Sequence, residues 1–532
     1  MNAANESALI QAGLQAGLFS NEQLARTKPI ARARRLSLLE ALSVEFSLPK
    51  TAFYLALAEL RGMPFAHLSR WRPDEVLCNK LPATLLKRHP ITVLRNPSNV
   101  AHLVTANPDD VTGIESVRRV LGMLPLALTE PEGLELLISR LAGKEALAES
   151  SNIDPVTLLD RIVREALLRQ ASDIHVEATR EGARVRLRVD GKLEIIGAPL
   201  SKELGEGLIS RVKVLSGMDI SEIRAPQDGG LIYPVPDTEP IEMRVASSPV
   251  KFGERLTMRV MKSDPGRQTL DALGLPPAMT VRLRDALNHP HGIVLVTGPT
   301  GSGKSTTLYC ALRELDADSL NILTAEDPIE QLIPGVSQMQ INGKVGFATA
   351  LRAFLRHDPD VILVGEIRDH DTADVALKAA TTGHMVLSTL HTNSAPGAVT
   401  RLLDIGCERF MLGATLRGIL AQRLVRMLCP HCRTESEATP RERQRLKADN
   451  DEFPVKLWRA NGCPRCLGQG YKGRIGLYES LWIDEEISSA ISNGASEQEI
   501  AALSKNYWQL ADDAREKVLA GMTSLEEVEN FL

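Results

Sequence analysis

Residues 291–309 read HGIVLVTGPTGSGKSTTLY, and this stretch decides the fold. The apolar run Ile293–Val296 reads as a buried strand, Gly298–Ser305 spells G-x-x-x-x-G-K-S, and a helix-compatible segment follows. Strand, glycine-rich loop and helix in that order form the context that gives a phosphate-loop match its meaning. Gly298, Gly301 and Gly303 let the backbone turn its N–H groups inward onto phosphate oxygens. Lys304 adds a point charge for the β/γ-phosphates and Ser305 a hydroxyl for Mg²⁺. With Pro299, Thr300, Ser302 and Thr306, these residues make the candidate nucleotide-binding segment.

Outward from the loop, strand candidates recur at Ile293–Thr297, Asn321–Glu326, Val361–Glu366 and Met385–Leu390, with helical stretches between them. Alternating β and α units imply a mainly parallel sheet covered by helices, with ligands bound beyond the carboxyl ends of the strands. Three polar clusters fall at those ends: Glu326-Asp327-Pro328-Ile329-Glu330, the Walker-B-like VILVGEIR (361–368), and TTGHMVLSTLHTN (381–393). ATP hydrolysis needs Mg²⁺ near the β/γ-oxygens, an oriented water and positive charge facing the γ-phosphate. Glu366 is the candidate for Mg²⁺ or its water shell, and Glu330 for the group that orients or deprotonates water; spacing leaves the two exchangeable. His391 is a candidate γ-phosphate sensor, with a histidine satisfied inside the core as the other reading. Arg352, Arg356 and Arg368 are either phosphate contacts or ordinary ion pairs.

Cys429-Pro-His-Cys432 and Cys463-Pro-Arg-Cys466 are paired C-x-x-C turns. Each turn can point two thiolates at one ion, and four thiolates close a tetrahedral shell of the structural Zn²⁺ kind. A redox C-x-x-C is the alternative, though two paired motifs fit a metal better than two independent redox centres. The long, charged segment between the pairs reads as an excursion. Cys78, Cys310 and Cys407 read as small apolar residues.

The chain has 532 residues, a length that suggests about three or four domains. Its 62 basic and 67 acidic residues give a net charge of −5, which does not suggest a nucleic-acid binder. The expectation is a chain with no export signal and no membrane-length apolar run, so that membrane association goes through a partner or the surface. Seven cysteines then suit a reducing cytoplasm, where clustered thiols bind metal.

Upstream, residues 1–145 mix helix-like segments with the basic patch Arg32, Arg34 and Arg35 and the strand-like Ile91–Leu94. They read as an N-terminal, mainly helical docking or regulatory domain. After a small, polar linker near 142–155 comes a helix at Val156–Gln170. The alternating ARVRLRV (183–189) follows, then a hairpin turn at Asp190-Gly191, a helix at Leu204–Ser216 and strands near Ile241–Val245 and Arg255–Val260. This small α+β domain, 155–262, is rich in arginine. Alternating arginines on a strand usually make its solvent face, and the excess of Arg184, Arg186, Arg188, Arg244, Arg255 and Arg259 would also suit a surface facing phosphates. A second linker is read at Lys262–Arg267.

Together these blocks resemble the secretion ATPases, namely the type II secretion traffic ATPase and the type IV pilus assembly ATPase. The likeness covers roughly 155–485. It is carried by ASDIHVE (171–177), RVKVLSGMDISEIRAPQDG (211–229), the phosphate loop, EDPIE (326–330), LRAFLRHDPDVILVGEIRD (351–369), TTGHMVLSTLHTN (381–393), AQRLVRMLC (421–429) and GYKGRIGLYE (470–479). The resemblance implies an α/β architecture in which a RecA-like phosphate-loop domain (268–532) carries a tetracysteine zinc-binding insertion at about 425–475. A PAS-like small domain precedes it. It further implies a homo-hexamer on the cytoplasmic face of a bacterial inner membrane, working with platform or assembly proteins and using ATP, Mg²⁺ and Zn²⁺. EDPIE becomes an Asp box, Glu366 the Walker B acid, and His384 with His391 a His box; Arg224 and Arg244 would reach the nucleotide. The tetracysteine site fits the assembly and export branch. Two departures stand out. Gly230 follows PQDG where the family commonly has arginine, and the N-terminal part lacks a convincing form of the repeated leucine-rich motif that binds cyclic di-GMP in some relatives, so that ligand is not expected. The competing readings are a nucleotide-gated scaffold with negligible turnover, and a nucleic-acid motor, which the acidic balance disfavours.

Overall fold

The computed structural model describes residues 4–34, 36–68, 70–78, 80–141, 154–234, 240–261, 269–448 and 454–532. Arg35, most of the first linker and Lys262–Arg267 lie outside the described residues. The chain divides into two compact units. One comprises 1–262 with 429–432 and 461–471, and the other 263–428, 433–460 and 472–532.

In the first unit, helices predominate among the N-terminal residues, led by Glu6–Gln15, Asn21–Arg34, Leu38–Glu45 and Lys50–Leu60. Ser37 and Glu40 form a reciprocal capping box at the third of these. The strand-like Ile91–Leu94 is indeed a strand, Ile91–Arg95, and it joins a four-stranded sheet with Arg72–Pro73, Ala101–Thr105 and Leu126–Leu128. The other three strands are two to five residues long. Elements that short carry too little alternation to register in sequence.

Residues 154–261 form a six-stranded sheet with helices Pro155–Leu168 and Lys202–Leu215. The Asp190-Gly191 hairpin forms as expected, with φ of 47° and 84°, the paired positive values of a type I′ turn. Ile174, Val176, Leu187, Val245 and Leu256 lie in one buried cluster with helix residues Leu159, Ile162 and Leu208. The alternate strand positions carry the arginines, and there Arg188 and Arg259 flank Asp173 while Arg184 and Arg255 flank Glu177 in cross-strand register. Arg184 Nε reaches Glu177 at 2.8 Å and Arg259 Nε reaches Asp173 at 3.0 Å, while Arg186 also pairs with Glu177. Most of the arginine excess is therefore committed to two buried carboxylates.

The second unit is built on a seven-stranded sheet. Its phosphate-loop strand, Gly292–Thr297, runs parallel to Met385–Leu390 on one side and Leu416–Leu428 on the other. Val361–Val364, Ile322–Glu326 and Ser337–Gln340 continue the parallel pairing outward. Every residue of Gly292–Thr297 and of Met385–Leu390 is buried, the mark of a strand covered on both faces. The Walker-B-like strand ends at Val364, two residues short of expectation, which leaves Glu366 in the turn beyond it.

Leu295 sits in the largest core cluster with no exposed surface, whereas Leu332 is 82% exposed. Leu295→Ala is expected to cost about 2–5 kcal/mol of stability, and Leu332→Ala to stay within about 0.5 kcal/mol of zero. Denaturant unfolding of both variants checks this.

Candidate nucleotide and metal sites

The phosphate loop opens where the strand Gly292–Thr297 ends and closes into helix Lys304–Glu314. Gly298, Gly301 and Gly303 have φ of 146°, 78° and 90°, conformations that favour glycine. A Cβ at Gly298 would meet the Gln422 carbonyl oxygen at 2.5 Å, so that position is also sterically closed. Lys304 is buried, and its ammonium is held by the carbonyls of Gly298 at 2.9 Å and Pro299 at 3.1 Å. Burial lowers its pKa, the Glu366 and Glu330 carboxylates oppose that, and Arg423 adds to it. The buried Ser302 hydroxyl has no hydrogen-bond partner among the described residues. The first N–H groups of the helix lack intrahelical acceptors, as at any helix start. An orphan hydroxyl, a desolvated cation and aligned donors suit a polyphosphate.

Glu366 is fixed by its neighbours in sequence. The Gly365 N–H donates to the Ala325 carbonyl at 2.8 Å, and the Ile367 N–H to the Thr389 carbonyl at 3.1 Å. Thr389 Oγ1 also donates to Gly365 at 2.6 Å. The Glu366 carboxylate pairs with Arg368 and lies 3.4 Å from His391 Nε2. His391 is therefore at the site. His384 is not: it precedes strand Met385–Leu390, where its carbonyl accepts from Gly292 at the start of the phosphate-loop strand. A six-residue strand separates it from His391, and its Nδ1 lies 2.9 Å from the Ala379 carbonyl. The two histidines thus stand at opposite ends of the short buried strand, and His391 is the one that reaches Glu366.

EDPIE also divides. Glu326 is buried and takes hydrogen bonds from Thr324 Oγ1 at 2.5 Å, Gln338 Nε2 at 3.0 Å and the Tyr309 hydroxyl. Glu330 is exposed, and its backbone N–H donates to Tyr309 at 3.1 Å. Tyr309, on the phosphate-loop helix, thus holds both ends of the motif, while burial raises its own pKa. Arg352 and Arg356 are exposed on and just after helix Phe347–Phe354. Arg224 and Arg244 belong to the first unit. Arg224 is exposed, with Glu222 at 4.0 Å. Arg244 stands directly across from Gly230 on the neighbouring strand. A Cβ at Gly230 would make ordinary contact, 3.8 Å from the Met243 carbonyl oxygen, whereas one at Gly229 would strike the Ser216 carbonyl at 2.5 Å.

Sequence reasoning missed the strand Leu416–Leu428 as part of the site. Its Ala421 pairs with Thr297, the last residue before the loop, so Gln422 and Arg423 arrive beside the loop itself. Gln422 is buried, donating to the Ser302 carbonyl at 2.7 Å and accepting from Thr307 at 2.9 Å. The block AQRLVRMLC held both residues, but nothing in its apolar pattern ties them to a loop more than a hundred residues upstream.

The four cysteines converge, with candidate ligand atoms all within 4.8 Å of one another. Cys429 and Cys463 sulfurs are 3.9 Å apart, Cys432 and Cys466 3.7 Å, and Cys463 and Cys466 3.8 Å. A tetrahedral ion with metal–sulfur bonds of about 2.3 Å needs sulfurs about 3.8 Å apart, so the set fits Zn²⁺. N–H groups of Gly462 and Gly470 donate to Cys432 and Cys466 at 3.2 Å each, a second shell that favours thiolates. All four cysteines fall in the first unit, where helix Lys50–Leu60 packs on the turn Pro464–Cys466.

Residues 148–530 match the family described as Type II/IV secretion system protein, and residues 61–147 match the MshEN domain. Type II secretion system ATPase E of Vibrio cholerae is 46% identical over 399 residues, 74% of this chain and 78% of its own length. Type II secretion system protein HxcR of Pseudomonas aeruginosa is 45% identical over 377 residues, 70% of this chain and 76% of its own. Type IV pilus assembly ATPase PilB of Thermus thermophilus is 38% identical over 504 residues, 89% of this chain and 56% of its own. The X-ray structure of the Legionella pneumophila ATPase DotB superposes with a TM-score of 0.54 at 25% identity, covering 72% of this chain and 96% of that one. With the match running through the phosphate loop, Glu366 and the four cysteines, the chain belongs to the type II/IV secretion system protein family of ATPases.

Proposed function

We propose that this chain is the ATP-hydrolysing motor of a type II secretion or type IV pilus assembly machine. It works as a homo-hexamer at the cytoplasmic face of the inner membrane. The observation that supports the reading is the buried Lys304 of the phosphate loop, on which the Glu366 and Glu330 carboxylates act, with His391 3.4 Å from Glu366. In it, the loop N–H groups and Lys304 hold the β/γ-phosphates, and Ser305 supplies a hydroxyl to Mg²⁺. Glu366 serves Mg²⁺ or its water shell, Glu330 orients or deprotonates the attacking water, and His391 reads the γ-phosphate through its contact with Glu366. Arg224 and Arg244 contact nucleotide from the small domain, with Arg244 standing in for the arginine that Gly230 replaces.

The working parts are an N-terminal docking and regulatory domain (1–145), the small α+β domain (155–262) and the ATPase domain (268–532). Docking runs through the N-terminal domain onto inner-membrane platform or assembly proteins. No helix among the described residues is long and apolar enough to cross a membrane. Nucleic acid has no part. Cys429, Cys432, Cys463 and Cys466 hold one structural Zn²⁺, with no open position for catalysis.

Lys304→Ala should abolish nucleotide binding and steady-state phosphate release while leaving the far-ultraviolet circular dichroism unchanged. Unaltered turnover would overturn the assignment. Glu366→Gln and Glu330→Gln should each slow turnover by about a hundredfold or more while nucleotide still binds. Wild-type protein that binds ATP without releasing phosphate would instead be a nucleotide-gated scaffold.

Metal analysis should return about one zinc per chain, lost when any one of the four cysteines becomes serine. A metal-free wild-type protein refutes the zinc assignment and leaves the ATPase reading standing.

A further inference from the structure

We infer that Arg423 is a second phosphate-binding cation of the nucleotide site, and that it links the bound polyphosphate to the loop His391–Ser394. The inference rests on the nucleotide reading of the phosphate loop and adds a residue to it.

Position is the first argument. Register places Ala421 across from Thr297, so Arg423 projects from the neighbouring strand just past the point where the phosphate-loop strand gives way to the loop. A Cβ built on Gly298 would lie 3.2 Å from Arg423 Nη1, which puts the guanidinium in contact with the first glycine of the loop. Gln422 clamps the same strand to Ser302 and Thr307. The arginine therefore stands on a rigid support.

Charge is the second. Nη1 donates to the Gln422 carbonyl at 2.9 Å, and Nη2 to the Asn393 carbonyl at 3.0 Å with Asn393 Oδ1 at 3.4 Å. These partners are neutral. Burial lowers the arginine's pKa, and among the described residues the carboxylate whose field opposes this is Glu479. Glu479 is itself buried, accepting from the Ala395 N–H at 2.6 Å and from the Tyr507 hydroxyl at 2.9 Å. Arg423 also depresses Lys304. A buried ammonium and a partly buried guanidinium held against the same glycine repel each other, and an anion between or beside them relieves that repulsion. The chemistry that fits is a polyphosphate.

Connection is the third. Asn393 follows Thr392, whose N–H donates to Thr297 Oγ1 at 2.8 Å, and His391, which lies against Glu366. A guanidinium bonded to Asn393 thus touches the loop that reaches the Walker-B-like acid. That connection implies stronger coupling to the terminal phosphate than to the two phosphates shared by ATP and ADP.

The test titrates the full-length wild type, Arg423→Gln and Arg423→Lys with fluorescent ADP and with a fluorescent non-hydrolysable ATP analogue. Thermal unfolding is followed in parallel. Arg423→Gln should weaken the ATP analogue by about tenfold or more and ADP by less than about threefold, as expected for loss of a charge-assisted contact. Arg423→Lys should fall between. An equal loss for both nucleotides, or a change within about twofold for both, overturns the inference. Should Arg423→Gln fail to fold, the ATP-to-ADP affinity ratio of Arg423→Lys decides: a fall supports the inference and an unchanged ratio overturns it. Wild-type protein that binds neither nucleotide removes the nucleotide reading itself, a separate outcome.

Discussion

A parallel sheet buried on both faces can present polar side chains only where its strands stop, and the rest of the ATPase unit follows from that constraint. Gly292–Thr297 and Met385–Leu390 have no exposed residue. The chain therefore spends its lysine, glutamates and histidine in the turns beyond Thr297, Glu326, Val364 and Leu390. The same turns are knitted together from beneath: Thr389 holds Gly365, Gly365 holds Ala325, and Thr297 holds Thr392. Glu366 needs no packing of its own side chain to be positioned, because both adjacent peptide groups are already committed.

Charge is handled in opposite ways in the two units. On the small domain, cross-strand pairing matches Arg184, Arg186 and Arg255 to Glu177, and Arg188 and Arg259 to Asp173. Those arginines are compensated within their own sheet. At the phosphate loop, the hydrogen bonds of Lys304 among the described residues go to carbonyls of its own loop, and those of Arg423 to the neutral groups of Gln422 and Asn393. Positive charge hydrogen-bonded to neutral groups and balanced by carboxylates at a distance is the form in which a folded protein prepares for an anionic ligand.

The tetracysteine cluster shows the same preparation for a cation. Two tight turns, with the Cys432 N–H on the Cys429 carbonyl and the Cys466 N–H on the Cys463 carbonyl, set the sulfurs at tetrahedral spacing. The turns come from segments separated by an excursion that pairs Thr434–Glu437 with Lys456–Arg459. Both turns group with residues 1–262, although the chain on either side of each belongs to the ATPase unit.

The sequence alone determined every feature written in local pattern. The parallel strands, the phosphate loop, the I′ hairpin at Asp190-Gly191 and the paired C-x-x-C turns were legible because each rests on residue type and spacing over a few positions. The acid at Glu366 was legible for the same reason, since it follows an apolar run. Only the tertiary structure decided what depends on which strands become neighbours. The resemblance put His384 and His391 in one box, and the strand between them sends its two flanks to opposite ends, so that His391 meets Glu366 while His384 meets Ala379. Composition made the small-domain arginines candidates for phosphate, but cross-strand ion pairs assign five of them to Asp173 and Glu177. Glu326 and Glu330 share one motif, yet strand burial takes the first into a hydrogen-bonded interior and leaves the second in solvent. Arg423 reaches the phosphate loop because Leu416–Leu428 lies beside Gly292–Thr297, and a pairing across that length of chain leaves no trace in either segment.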